Sequence, residues 1–330
     1  MDEVLANYIY EMDLGDIQEH KGMSVFPLYT KGDDSDYITL KEALDADLIK
    51  ITEIDEMGSV PELKVINKAN VPVLLLDGEE LAGAKQNRVL NTTILLKQNS
   101  ETVIPVSCTE QGRWSYTSLK FSDSGNVASY RVRRYKSASV NKSLKTEGKY
   151  RSDQRMVWNA IDDVSREARV MSNTRAMRDV YESRDESLQD YHHAFPLSDG
   201  QKGILVMVNG EVMGLDVLSS SIAYSVLHPK LLKSYSLEAI LQEEKNDKAD
   251  EEDQFNGLDQ AKKFLDDARL SMEEKHKSIG FGCDHRLEGP NLVGSALTHK
   301  EKVIHAAFFR TMDSQNEKMS SYQTRRGFRI

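Results

Sequence analysis

Cysteine is scarce: Cys108 and Cys283 are the only two in 330 residues. Two thiols cannot build the disulfide framework of a small secreted domain. A chain this long buries about three quarters of its unfolded surface and needs no such framework. Positive charge is also in deficit, 43 Lys and Arg against 53 Asp and Glu, for a net charge of -10. Nucleic-acid binders usually carry a basic excess, so that balance argues against one, while leaving room for a local basic pocket. No apolar run approaches the roughly 20 residues of a membrane-spanning helix, and no membrane partner is expected. The opening "MDEVLANYIYEMDLGD" is acidic and lacks the basic-then-apolar order of a secretory signal. A cytoplasmic, reducing setting is the expectation.

Known chemical motifs are missing as well. There is no Walker phosphate loop, GxSxG elbow, dinucleotide glycine fingerprint, HExxH helix, paired CxxC or EF-hand loop. His192 and His193 are adjacent, so they cannot share a helix face. His299 and His305, with Asp284 and His285 upstream, match no metal-ligand spacing. No metal site is expected, and the cofactor is left unassigned.

What is present begins with short β-branched runs. "SVFPLYT" (24–30), "LIKITEI" (48–54), "LKVINKA" (63–69), "VPVLLLD" (71–77), "VLNTTILLK" (89–97) and "TVIPVSC" (102–108) read as strands separated by turn residues. "TLKEALDADLI" (39–49) reads as a short helix over one edge. Residues 1–120 are therefore a β-rich region. Residues 121–151 carry eight cations, Arg131, Arg133, Arg134, Lys136, Lys142, Lys145, Lys149 and Arg151, against Asp123 and Glu147. With Ser, Asn and Gly between them, they read as a basic surface loop able to clamp phosphates. Residues 152–330 read as a helical insertion with further strands that complete the same domain. Its helices are "DQRMVWNAIDDVSREARVM" capped by Ser152, "TRAMRDVYESR", "SLQDYHHAF", "LLKSYSLEAILQ" and "LDQAKKFLDDARLSMEEKHK". The last has a core stripe of Leu258, Ala261, Leu265, Ala268 and Met272. "GILVMVNGEVMGLDVLS" and "KVIHAAFF" read as strands, and residues 243–254 as an acidic linker. The fold class expected is α+β, a β-sandwich or jelly-roll framework with helices inserted in the second half.

Chemistry concentrates in "LLLDGEELAGAKQNRVLNTTILL", residues 74–96. A solvent turn needs only a few small polar residues. This stretch sets Asp77, Glu79, Glu80, Lys85, Gln86, Asn87, Arg88 and Asn91 between two apolar runs. A strand, a tight Asp77-Gly78 turn and a second strand are expected, making a hairpin. "GEELAGA", "NGEVMG" and "GPNLVGS" share a glycine turn entering a strand, and could gather around one site. The second concentration is "IPVSCTEQGRWSY", residues 104–116. Glu110 and Arg113 follow a strand end, and Trp114 offers a stacking face. Cys108 reads as a buried apolar position rather than a nucleophile.

These two stretches resemble the ADP-ribosylglycohydrolase- and rhodanese/phosphatase-associated protein domain, a family of unknown biochemical function. "GEELAGAKQNR" and "SCTEQGRW" carry the resemblance, densest over residues 71–116, with "VFPLY", "YITLKEAL", "KITEI", "GPNLVGSAL" and "KVIHAAFF" fitting elsewhere. The resemblance implies, by association only, a role with ADP-ribose-type or nucleotide-derived metabolites. The expected site places Lys85, Arg88 and Arg113 on an anionic ligand. Gln86, Asn87 and Asn91 supply directional hydrogen bonds, Trp114 stacks, and Glu80 or Glu110 is the acid/base. The alternative is a non-catalytic sensor or interaction module whose polar cluster is a structural network. Homo-oligomerisation is left open.

Overall fold

A computed structural model describes residues 1–32, 36–55, 61–245 and 257–311. The tail "RRGFRI" and the acidic linker from residue 246 onward lie outside the described residues. In chain order the elements begin with α1 (Glu3–Tyr10), β1 (Asp13–Leu14), β2 (Gln18–His20), β3 (Met23–Tyr29), β4 (Ile38–Thr39), α2 (Leu40–Asp45), β5 (Ile49–Thr52) and β6 (Glu62–Asn67). The motif region contributes β7 (Val73–Leu75), β8 (Glu79–Gly83), β9 (Arg88–Leu90), β10 (Ile94–Leu96), β11 (Ser100–Cys108) and β12 (Phe121–Val127). Four helices follow, α3 (Tyr130–Glu147), α4 (Gln154–Glu167), α5 (Met177–Ser183) and α6 (Asp185–Ala194). The chain then runs through β13 (Gly203–Val208), β14 (Glu211–Leu218), α7 (Ser221–Glu243), α8 (Gly257–Arg269), β15 (Met272–Lys277), β16 (Cys283–Gly289), β17 (Leu292–His299) and β18 (Lys302–Arg310). No helix among the described residues is long and apolar enough to cross a membrane.

The architecture is α+β. A nine-stranded antiparallel sheet runs β1-β3-β13-β14-β18-β17-β16-β15, with β2 on β3. Its central strands are apolar on both faces, as "GILVMV" already suggests by lacking alternation. Val206, Val208 and Phe309 pack toward α3, α4, α6 and α7. Leu205, Met207 and Phe308 pack toward α1 and α8. The second sheet, β12-β8-β9-β11-β6-β5, curls until its ends β12 and β5 touch. A third, β10-β7-β4, closes over the core they share. Thr39 and Glu42 form a reciprocal cap that starts α2.

Three local expectations are corrected. The strands flanking the Asp77-Gly78 turn do not pair with each other: β7 pairs with β10 and β4, while β8 pairs with β9 and β12. The hairpin is instead β8–β9, with Glu80 opposite Val89, and the Asp-Gly turn carries the chain from one sheet to another. "VLNTTILLK" likewise breaks at Asn91–Thr93 and changes sheet.

The basic surface loop of residues 121–151 is a strand and an 18-residue helix. In α3 the buried face runs Arg133, Lys136, Val140, Leu144, a helical stripe with two cations in it. Periodicity judged on apolar residues alone breaks at those positions. Finally, α8 stops at Arg269, so Ala261, Leu265 and Ala268 are core, while Leu258 in its first turn is exposed and Met272 starts an edge strand and is exposed too. Two smaller differences accompany these. Asp153, not Ser152, caps α4. Helix α7 begins ten residues before "LLKSYSLEAILQ" and runs through Pro229. Nearly all of its residues from Ala223 to Leu241 are buried, and that packing outweighs the roughly 3 kcal/mol cost of an internal proline.

Candidate functional site

The crowded polar residues of the motif are inside the molecule, and several of them, with the neighbouring Thr92 and Thr93, are matched by partners far along the chain. Asp77 pairs with Lys136 of α3, both fully buried. Lys136 also donates to the Asn91 carbonyl at 3.3 Å. Glu79 accepts from the Leu76 N–H at 2.9 Å and from Lys230 of α7 at 2.9 Å. Thr92 donates to Asp284 at 2.7 Å, and Arg286 donates to Thr92 at 2.6 Å. Thr93 meets His305 Nδ1 at 2.8 Å, and His305 Nε2 meets Asp216 at 3.2 Å. Arg133 grips Asp216 through two bonds of 2.8 and 2.5 Å. Burial pushes the Asp216 carboxyl up, but Arg133 and His305 outweigh it and hold it at about 2. Gly78 lies directly against this pair. Its φ of +88° suits glycine, and a Cβ there would stand 3.0 Å from the Arg133 side chain.

The second cluster packs on the first, as the sequence suggests. Arg88 stands opposite Cys108 in register, its Nη1 3.0 Å from the thiol sulfur and 3.0 Å from Gln86 Oε1. Cys108 is buried, and that burial pushes its thiol up to about 11 against the pull of Arg88. A thiol raised this far carries little thiolate, its reactive form, at neutral pH. Glu110 accepts both Nε and Nη2 of Arg113, at 2.9 and 2.6 Å, and accepts the Asn87 N–H at 3.2 Å. Arg113 Nη1 donates to the carbonyls of Ala84 and Ser115 at 2.8 and 3.0 Å, and its Nη2 also reaches Asn87 Oδ1 at 3.3 Å. All five N–H groups of Arg113 are engaged. Burial alone would raise the Glu110 carboxyl, but the Arg113 bonds outweigh it and hold it below the ordinary range.

The nine expected site residues therefore separate. Glu80, Arg88 and Asn91 are sealed, Lys85 and Gln86 are buried, and Trp114 is 48 % exposed with Lys85 and Arg88 beneath its ring at 5.5 and 5.7 Å. Asn87, Glu110 and Arg113 reach an open cleft of about 1100 Å³. Its other walls are Ser122, Asp123 and Ser124 of β12, Arg178, Asp179 and Glu182 of α5, and Lys50 and Lys120. None of these was singled out as a site residue from the sequence, because they come from four separate elements and make no local pattern. Lys230 links cleft to interior, donating at 2.7 Å to Asp123 and at 2.9 Å to Glu79. The glycine turns do not gather as one: Asn209 and Asn291 share a smaller pocket, while Gly78 faces Arg133. Among the described residues no group of three His, Cys, Asp or Glu could hold a metal ion.

Glu80 lies just behind the cleft. Its Oε1 accepts from Thr109 at 2.7 Å, and burial pushes its carboxyl up to about 7. A carboxyl raised in the folded state gives stability that is complete below the unfolded value and fades as pH rises through the folded one. Wild type is expected to lose up to about 3 kcal/mol between pH 4.5 and 7 relative to Glu80→Gln, from 1.4 kcal/mol per unit. Urea midpoints across that range check this; equal slopes in the two proteins would refute it.

A comparison with curated proteins and one with solved structures returned no match. A comparison with protein families matched residues 11–309, which include both polar stretches, the α3 cations and every strand of the nine-stranded sheet from β1 to β17. The chain belongs to the ARPP-1 family, described as the ARG and Rhodanese-Phosphatase-superfamily-associated Protein domain.

Proposed function

We propose that the chain binds a small anionic metabolite of the ADP-ribose or nucleotide kind in the cleft beside Glu110 and Arg113. The single observation that carries this is the cleft's lining. Cations (Lys50, Lys120, Arg178) and carboxylates (Asp123, Asp179, Glu182) share the lining with Ser122 and Ser124. Phosphates take ammonium and guanidinium groups, while ribose hydroxyls take carboxylates and serines. The volume exceeds what a drug-sized ligand needs. Reading the "ARG" of the family description as ADP-ribosylglycohydrolase supports the same ligand class, by association only. In this reading Arg113 and Glu110 brace the wall, and neither is free for acid/base work. Glu80 is sealed beneath it.

A second reading has its own observation. Because Arg113 is fully engaged and Arg88 is sealed, the motif is a structural network, and the chain is a non-catalytic sensor or interaction module. A thermal-shift series with ADP-ribose, NAD and nucleotides separates the two. The cleft reading expects the melting point to climb with ADP-ribose or nucleotide concentration. A combined Lys50→Ala, Lys120→Ala, Arg178→Ala protein should melt normally and bind roughly ten- to a hundredfold more weakly. No shift with any of these ligands leaves the module reading standing.

A further inference from the structure

Among the described residues there are two relays of carboxylate, imidazole and threonine, and they differ in which ring nitrogen meets the acid and in access to solvent. Asp216, His305 and Thr93 form one, sealed at the centre, with Nε2 on the acid and Nδ1 on the threonine. Glu273, His285 and Thr298 form the other, on β15, β16 and β17. There His285 Nδ1 meets Glu273 Oε1 at 2.5 Å and Nε2 meets Thr298 Oγ1 at 2.7 Å. A carboxylate only accepts, so Nδ1 carries the proton and Nε2 of the neutral ring accepts from the threonine hydroxyl. That is the order in which a hydroxyl nucleophile, its base and the orienting acid are arranged in hydrolases.

Burial supports the distinction. Glu273 and the His285 ring are covered, their side chains 8 % and 1 % exposed, which fixes the ring's orientation. Thr298 is only partly buried. The β17–β18 register shifts between Leu297 and Thr298, with the extra residue, Ile304, on β18, so Thr298 keeps its regular register with β16 beside a local break in the β18 ladder. In register, Thr298 faces Cys283 and Cys283 faces Lys277, so the three form one cross-strand row. Lys277 is exposed, and its ammonium makes no hydrogen bond or ion pair among the described residues.

We propose that Glu273, His285 and Thr298 form a second reactive site, separate from the cleft, whose substrates are small carboxylic esters. The Thr298 oxygen attacks the ester carbonyl carbon while its proton passes to His285 Nε2. The bond from that carbon to the alcohol oxygen breaks, and the proton leaves with the alcohol. Water then attacks the acyl-threonine, giving its proton to the same nitrogen, which returns it to Thr298 as the acid departs. Glu273 holds the ring and balances its transient charge. Lys277 places a cation on the side where the carbonyl oxygen becomes negative. The sealed relay at Thr93 has the same groups but no access, and remains unreactive.

The test uses the full chain with two probes, p-nitrophenyl acetate and a fluorophosphonate, with the modified peptide identified by mass spectrometry. The expected result is p-nitrophenolate release together with a covalent adduct on Thr298. Thr298→Ala should lower release about a hundredfold or more, and Thr298→Ser should keep it. Thr298 sits beside that break near the surface, and circular dichroism confirms that each variant is folded. An adduct confined to other residues of the folded wild type, no adduct at all, or full release by Thr298→Ala would each overturn the assignment.

Discussion

Arg133→Ala is expected to lower stability by on the order of 3–5 kcal/mol, the penalty for leaving one partner of a buried ion pair alone. Asp216 would keep the Tyr235 hydroxyl at 2.8 Å and His305, but lose both of its shortest guanidinium bonds. The same change removes the guanidinium stacked 4.7 Å from the Phe309 ring centroid. Urea denaturation near neutral pH measures the loss. The acid limb gives an independent sign. In wild type a depressed carboxyl contributes stability that is present above the unfolded value of 3.8 and is lost as pH falls toward about 2. Without Arg133 that acid-sensitive contribution should shrink. A variant as stable as wild type would mean that Arg133 and Asp216 are not paired.

Lys136→Met should have an effect of similar size, and it has a built-in control. Burial pushes the Lys136 ammonium down and Asp77 pulls it back up, the net direction being down. Deleting the ammonium takes from Asp77, whose side chain is 1 % exposed, its direct partner and leaves it only the longer-range attraction of Arg133 and Arg286. The expected loss is again about 3–5 kcal/mol. Adding Asp77→Leu to Lys136→Met should recover most of it, because two apolar groups of suitable shape can replace a buried pair. If the double variant is less stable than Lys136→Met alone, Asp77 has another essential partner and the pair is not the unit.

Strands and two clusters were legible in the sequence because their signals are local. β3, β5, β6, β11 and β18 fall where β-branched runs predict them. Residues 77–93 and 108–114 do meet, through Arg88 with Cys108 and Asn87 with Glu110. What failed depended on distant partners. Arg133 and Lys136 look solvent-bound until Asp216 and Asp77 are known to lie beside them. The Asp77-Gly78 turn looks like a hairpin because turn chemistry does not say which sheet the next strand joins. One departure is local: cations near a tryptophan suggest a ligand hand, yet Arg113 closes on Glu110 three residues away. The cleft itself had no signature, since Ser122, Arg178 and Lys50 are ordinary surface residues until β12, α5 and β5 converge.

The reach of the buried pairs governs how the chain emerges during synthesis. Lys136 follows Asp77 by 59 residues, Lys230 follows Glu79 by 151, Asp284 follows Thr92 by 192, and His305 follows Thr93 by 212. At roughly 5–20 residues per second, Thr93 waits about 10 to 40 seconds on a ribosome for its last partner. Until Lys136 and Lys230 have emerged, Asp77 and Glu79 cannot leave water, and the apolar runs around them, "VLLL" and "VLNTTILL", cannot close over them. The N-terminal half is thus held back from premature collapse by its own charges, and β3 waits for β13 in the same way. A nascent chain halted near residue 200 should be bound by chaperones and open to protease within residues 74–96, whereas the finished chain should be resistant there.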